Sequence, residues 1–460
     1  MTRLLEVDFG RDRICLACRN KSCCSYYTVT VTARDLVRVA RAMQLAPTDF
    51  VTACTVPDGG PGTFLLRPEG PQHALTLVKR PFPDPTDSPC IFLLSTNDRR
   101  GLCGLGDLRP GQCRTFPSYL TDDFISIVND PPGCVRTWSY GDLDLDEERR
   151  RIVHAKAEEA EHHAAVEEWN RRVCDEGRER SFEEFCTFLV NRTMEHEGNG
   201  TGASGPCSSC RKRCCTSYTV SITGYDAWVI GKGLHLPVES FLVYFPVTEQ
   251  NDRGFLLEPG GNRYEIALDK VGQYQKGNPC VFWVELASGG GRCGIYSYRP
   301  RVCQTYPAYQ LEEMVVLRDD VLCPEGAWNL VGMDLVQFRQ RLSQFRMEQD
   351  LYAYVVSEWN RRVEGGGVPR SIREYYTYIM NLYDRIDRFL GTLEVGALAE
   401  AVQQWGEAHH SRPNPLVADL SMPPAHEPRQ MVVEELRTIV HTLVSKPNGE
   451  AASRMCSAVP

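Results

Sequence analysis

Sixteen of the twenty cysteines form two sets of eight, and the sets superimpose under a shift of about 190 residues. The first is Cys15, Cys18, Cys23, Cys24, Cys90, Cys103, Cys113 and Cys134; the second is Cys207, Cys210, Cys214, Cys215, Cys280, Cys293, Cys303 and Cys323. Twelve residues separate the fifth and sixth cysteine in both sets, and nine separate the sixth and seventh. Thiols kept at fixed spacing while their surroundings diverge point to metal ligation or covalent pairing, not to packing alone.

Cys15-Leu-Ala-Cys18 and Cys207-Ser-Ser-Cys210 have the two-residue gap of a metal knuckle. That gap lets two sulfurs and nearby N–H groups converge on one ion or cluster. The pairs Cys23-Cys24 and Cys214-Cys215 are predicted to lie in extended chain, where neighbouring side chains face opposite ways and can serve different sites. Eight sulfurs suffice for two four-sulfur sites per set, or for one site with spare thiols. Tetrahedral sulfur suits Zn²⁺ and iron–sulfur clusters, and soft thiolates also suit Cu⁺. No histidine recurs with the cysteines. The expected cofactor is therefore an iron–sulfur cluster, 4Fe-4S before other types, or Zn²⁺. Cys54, Cys174, Cys186 and Cys456 have no counterpart and read as ordinary thiols. His154, His162 and His163 sit on a charged helical stretch and read as surface or partly buried residues. Gly224–Lys232 has the wrong spacing for a phosphate loop.

The elements that must hold these thiols repeat with them. An apolar alternating run, Tyr27–Val31 or Tyr218–Ile222, predicts a strand. Thr32 and Thr223 then predict helix N-caps, with Thr32 and Asp35 forming a capping box. Short strands are expected at Phe64–Arg67 and Leu75–Lys79, and at Phe255–Glu258 and Tyr264–Leu268. Cys90–Leu94 and Cys280–Val284 run into turn-rich segments and predict hairpins that return the sixth cysteine. Helices follow at Asp146–Cys174 and Ser181–Glu195, and at Met333–Val363 and Ser371–Leu390. Trp169-Asn170-Arg171-Arg172-Val173 recurs as Trp359-Asn360-Arg361-Arg362-Val363, for which a structural role is expected. The fold class is α+β: a tandem duplication of a small Cys-rich β unit packed with long helices, plus a short helical C-terminal extension.

These readings divide the chain into a cysteine-cluster domain at 1–197, a Gly/Ser linker at 198–205, a second such domain at 206–394, and an extension with a frayed tail at 395–460. At 460 residues, two or more domains are expected. A net charge of -9 argues against nucleic acid or an anionic membrane as a partner. No apolar run approaches the length of a membrane helix, and the charged start does not read as a signal peptide. The expected location is cytoplasmic, where disulfides are not sustained, which favours metal over a disulfide scaffold. A monomer with internal pseudo-symmetry is expected, with no protein partner identified.

The run Gly291-Arg-Cys293 through Arg299-Pro300-Arg-Val-Cys303-Gln-Thr-Tyr306-Pro307, downstream of Cys207-x2-Cys210-x3-Cys214-Cys215, resembles the CxxCxxxCC cysteine-cluster family, the zinc- or iron-chelating domain of YkgJ type. The first copy carries the pattern as Gly101-Leu-Cys103 through Arg109-Pro110-x2-Cys113-Arg114-Thr-Phe116-Pro117. It departs in having four residues before its CC pair and Gly106 in place of the aromatic at Tyr296. The second copy has Gln304 where the family commonly has arginine, present here as Arg114. The resemblance implies metal chelation. A distant branch, the flagellin lysine-N-methylases, implies an alternative: iron–sulfur-dependent methyl transfer with S-adenosylmethionine, or an oxidoreductase. A thiol-redox module built on the two C-x-x-C pairs is a third reading. No catalytic residue is assigned. Arg109-Pro110 and Arg299-Pro300 read first as a rigid turn whose arginine pairs with a local carboxylate, and second as a charge that tunes the sulfurs or holds an anionic substrate.

Overall fold

The computed structural model describes residues 22–80, 88–96, 101–121, 124–128, 134, 137–197, 213–247, 254–272, 277–286, 289–311, 314–318, 321–323, 328 and 335–392. The predicted linker and C-terminal extension lie outside the described residues. The fold is α+β.

The first half begins with α1 (Ser22–Tyr26), which carries the CC pair, and α2 (Ala33–Met43). Strands β1 (Val51–Val56), β2 (Phe64–Leu65) and β3 (Gln72–Leu77) form an antiparallel sheet in the order β1-β3-β2. The hairpin of β4 (Leu93–Ser95) and β5 (Gly101–Cys103) leads to α3 (Gly111–Thr115). A second hairpin, β6 (Ser118–Thr121) and β7 (Phe124–Ile127), precedes the long α4 (Leu145–Glu176) and α5 (Phe182–Glu197).

The second half runs through the same order: α6 (Arg213–Ser217), α7 (Gly224–Gly233), β8 (Leu242–Pro246), β9 (Phe255–Leu256) and β10 (Arg263–Leu268). Then come β11 (Trp283–Glu285), β12 (Gly291–Cys293), α8 (Arg301–Thr305), β13 (Ala308–Leu311), β14 (Met314–Leu317), α9 (Leu335–Gly366) and α10 (Ile372–Thr392). The four long helices lie within a few residues of their predicted positions. Strands β1 and β8 and the hairpins β6–β7 and β13–β14 were not foreseen.

The predicted capping box at Thr32 forms, and the predicted N-cap Thr223 forms one as well. Thr32 accepts from the Asp35 N–H and Asp35 from the Thr32 N–H; Thr223 and Asp226 do the same. Behind Thr32, Leu36, Val37 and Val39 are buried. The expected strand at Tyr27–Val31 is reduced to one bridge, Thr30 to Thr76. The physical reason is a tertiary contact: the Thr30 N–H donates to Gln112 Oε1 at 2.8 Å instead of continuing a ladder. The second half likewise bridges only at Ser221 and Ala267.

The described residues group into two compact units. Among them, one unit draws on residues within 22–217 and 270–297, the other on residues within 218–269 and 298–392. In the first unit the core stacks Phe64 on Phe185 at 3.8 Å between ring centroids. Trp169 and Asn170 pin β2 to α4. The indole N–H donates to the Leu65 carbonyl at 2.7 Å, and Asn170 accepts from the Leu65 N–H at 2.8 Å and donates to the Thr63 carbonyl at 3.0 Å. A two-residue strand makes few ladder bonds, so these side chains satisfy the rest of its backbone.

In the other unit, Phe255 stacks on Tyr375 at 3.9 Å, and Trp359 and Asn360 repeat the clamp on Leu256 and Gly254. The recurring Trp-Asn pair is therefore structural in both halves.

The β11–β12 hairpin packs within the first unit. Arg292 Nε donates to the Met43 carbonyl at 3.0 Å, and the Tyr296 hydroxyl to Gln44 Oε1 at 2.5 Å. Gly104 and Gly294 touch backbone to backbone: a Cβ at Gly104 would stand 2.7 Å from the Gly294 oxygen.

Candidate metal centre

Five first-half thiols are held by four separate elements. Cys23 and Cys24 lie on α1, whose turn is closed by the Tyr27 N–H on the Cys23 carbonyl at 3.0 Å. This corrects the extended reading of the CC pair. On a helical turn successive side chains diverge by roughly 100°, not 180°, so both can face one site. The Cys24 carbonyl accepts from the Cys90 N–H at 2.9 Å, which ties α1 to the approach of β4. Cys103 ends β5 opposite Leu93, so the hairpin returns the sixth cysteine as expected. Cys113 sits on α3, where Pro110 is the N-cap and its carbonyl accepts the Cys113 N–H at 2.9 Å. Asp35, beyond its own cap, also accepts the Gly111 N–H at 3.2 Å and so anchors the start of α3 to α2.

These thiols feel one another. The hydrogen bond from Cys23, then burial, then the fields of Cys103 and Cys90 push the Cys24 thiol well up. Burial and Cys103 push Cys90 up to about 12. Burial, Cys103 and Cys90 raise Cys113, and Arg109 pulls it back down. Each would ionise more readily with a cation among them. Arg109 also donates from Nε to the Gly106 carbonyl at 2.9 Å, which ties it to its own turn. Cys134 is half-buried. It accepts the Trp138 indole N–H at 3.4 Å, and its field, with that of Cys23, reaches Tyr27.

Four second-half thiols repeat the arrangement within the same compact unit. Cys214 and Cys215 on α6 have their sulfurs 3.9 Å apart. The Cys280 N–H donates to the Cys215 carbonyl at 2.9 Å, and Cys293 ends β12 opposite Trp283. Cys215 is raised by its hydrogen bond with Cys214, then by burial, then by Cys214, Cys280 and Cys293; burial and Cys293 push Cys280 up to about 12. Cys303 and Cys323 belong to the other unit. There, the Cys303 N–H donates to the Pro300 carbonyl at 2.9 Å, and Cys323 accepts the Trp328 indole N–H at 3.2 Å. Cys15, Cys18, Cys207 and Cys210 lie outside the described residues.

Sequence reasoning missed a lysine in each half. Lys79 donates to the Ser25 carbonyl and Lys270 to the Thr216 carbonyl, the latter at 2.7 Å. Each therefore ends beside the CC helix, and each bridges the backbone of the fifth cysteine, Cys90 or Cys280. Their ammonium groups lower the pKa of those thiols. The recurrence of Lys79 and Lys270 under the cysteine shift was the available signal.

Of the remaining residues, Cys54 and Cys174 are exposed and Cys186 is buried, with burial pushing it up to about 12. Gly224–Gly233 is the helix α7 and not a phosphate loop. His162 is buried.

Among the described residues, no three His, Cys, Asp or Glu side chains stand at metal-site spacing. The donor chemistry nevertheless fits a soft cation: thiols, an ammonium to offset thiolate charge, and backbone held by hydrogen bonds.

A small cysteine-dense β unit flanked by helices defines the class. Residues 206–324 match the CxxCxxCC family model, described as "Putative zinc- or iron-chelating domain". The matched segment spans Cys207 to Cys323 and indicates zinc or iron chelation for that part of the chain. Comparisons with curated proteins and with solved structures give no match. No described helix is long and apolar enough to cross a membrane.

Proposed function

We propose that this is a metal-binding protein with two cysteine-cluster domains, 1–197 and 206–394, each holding an iron–sulfur cluster or Zn²⁺ through its set of eight cysteines. On this reading the halves descend from one duplicated unit, joined by 198–205 and extended by 395–460, and act in the cytoplasm. The observation that carries it is that the Cys90 N–H bonds to the Cys24 carbonyl at 2.9 Å and Cys103 ends the hairpin strand opposite Leu93, so the fifth and sixth cysteines return to the CC helix, where Cys90 and Cys103 act on Cys24. Cys214, Cys215, Cys280 and Cys293 supply the same support in the second half. A bound cation would replace thiol–thiol repulsion by ligation, and the site's folding and metal loading would be coupled.

The test is anaerobic purification with iron, acid-labile sulfide, zinc and copper quantified together, for the wild type and for Cys18→Ser and Cys113→Ser. The expected result is loss of first-half metal in both variants with second-half metal retained. Unchanged metal content in both would overturn the proposal. Mass spectrometry of the same preparation separates ligation from a reversible C-x-x-C disulfide, and calorimetry with S-adenosylmethionine tests the methyl-transfer alternative.

A further inference from the structure

The eighth cysteine of each set is met by a tryptophan. Trp138 is the fourth residue after Cys134, and Trp328 is the fifth after Cys323. Between them run Val-Arg-Thr in the first half and Pro-Glu-Gly-Ala in the second, which share neither length nor a residue. The same bond forms nevertheless. The indole N–H donates to the cysteine sulfur at 3.4 Å in the first half and at 3.2 Å in the second. A contact that survives a change in loop length is not a by-product of the loop.

Trp138 is 8% exposed, and an indole N–H can only donate. A buried donor needs an acceptor, and a neutral thiol is a weak one. A thiolate accepts a charge-assisted bond, roughly twice as strong. The donor is therefore matched to the form of cysteine that binds metal. In the first half, Cys134 and Cys23 act on one tyrosine, Tyr27, which places the eighth cysteine on the side of the CC helix. In the second half, the residue before Cys323 is anchored: the Leu322 N–H donates to the Tyr306 hydroxyl at 3.3 Å.

We propose that Trp138 and Trp328 are positioning residues of the two metal sites, each holding the eighth cysteine as a thiolate ligand through an indole N–H···S bond and drawing charge from its metal–sulfur bond. The inference rests on the reading that each cysteine set ligates metal. Hydrogen bonds to ligating sulfur help to set an iron–sulfur potential, and losing an outer donor of this kind costs about tenfold or more in metal affinity. The same bond makes a zinc-bound thiolate a poorer nucleophile, because its charge is shared with the N–H.

The experiment replaces the Trp138 indole by benzothiophene in the full, metal-loaded chain. This side chain keeps the bicyclic shape and has sulfur in place of the N–H. Metal is quantified first, in wild type and variant. At saturating metal both are expected to carry the same amount, while the first half of the variant yields its metal to a competing chelator about tenfold more readily. Iodoacetamide is expected to alkylate Cys134 faster in the loaded variant, with Cys323 reacting as in the wild type. Where the metal is iron, the first-half potential moves to a more negative value. The same replacement at Trp328 should transfer these effects to Cys323, and it decides the matter if the Trp138 variant fails to fold. A wild type without metal sinks the chelation reading and the inference together. A metal-bearing wild type whose variant shows no faster alkylation of Cys134 overturns the inference alone and leaves chelation standing.

Discussion

Arg301 meets Glu348 at 2.9 Å, and its counterpart by the cysteine register is a glycine, Gly111. The first half solves the same problem from another position. There Arg114 reaches Glu158, the counterpart of Glu348, at 2.6 Å, and the residue matching Arg114 is Gln304. The guanidinium has moved by three residues, one turn of the short helix bearing the seventh cysteine, while the buried carboxylate beneath has stayed. Gln304 is therefore not a lost charge. It donates to the Arg299 carbonyl at 2.6 Å and accepts from Arg301 at 3.1 Å.

Removing the guanidinium leaves the buried Glu348 carboxyl without its hydrogen-bond partner. Arg301→Met is expected to destabilise the protein by about 3 kcal/mol, measured by urea unfolding. Adding Gln304→Arg should recover part of that loss, because Arg114 shows that the position can reach the carboxylate. A double variant no more stable than Arg301→Met would contradict this exchange.

Glu348 also sets a pH dependence. Burial, with the nearby Asp226 charge, raises its pKa from 4.5 to about 8 against the pull of Arg301. The folded chain thus keeps a proton that the unfolded chain releases. Its contribution to stability is complete below pH 4.5 and is lost as the pH rises through about 8. Glu348→Gln should flatten the fall in Tm across that window. An unchanged slope would show that Glu348 is not its source.

Lys270 is buried beside the Cys280 and Cys215 thiols. Lys270→Met should reduce the metal affinity of the second half by roughly tenfold, the usual cost of losing a supporting group, while Lys270→Arg retains most of it. Competition with a chromophoric chelator measures both. Equal affinity in Lys270→Met and the wild type would remove the lysine from the site.

The parts of the fold legible in sequence were those with a strong local signal. The long helices showed their periodicity, Thr32 and Thr223 their capping chemistry, and the turns after Cys90 and Cys280 their hairpins. The errors arose where tertiary contacts outweighed local preference. Tyr27–Val31 has strand composition, but Gln112 takes the Thr30 N–H. Cys23-Cys24 reads as extended chain, but it forms a turn whose carbonyls serve Cys90 and Lys79. The Trp-Asn repeat was visible, yet its grip on β2 and β9 depends on strands of two residues that composition barely marks. For the site, the cysteines were legible because their spacing recurs. Lys79 and Lys270 were overlooked because a lysine signals nothing by type alone; only its recurrence beside the fifth cysteine marks it.

The backbone contact of Gly104 with Gly294 means that the two halves are not detachable beads. A chain cut at the predicted linker would strip the hairpin bearing Arg292 from the Met43 carbonyl and uncover the apolar Leu94 side chain, which also lies against Gly294. Truncated versions of this protein should therefore be judged for solubility before anything is read into what they fail to bind.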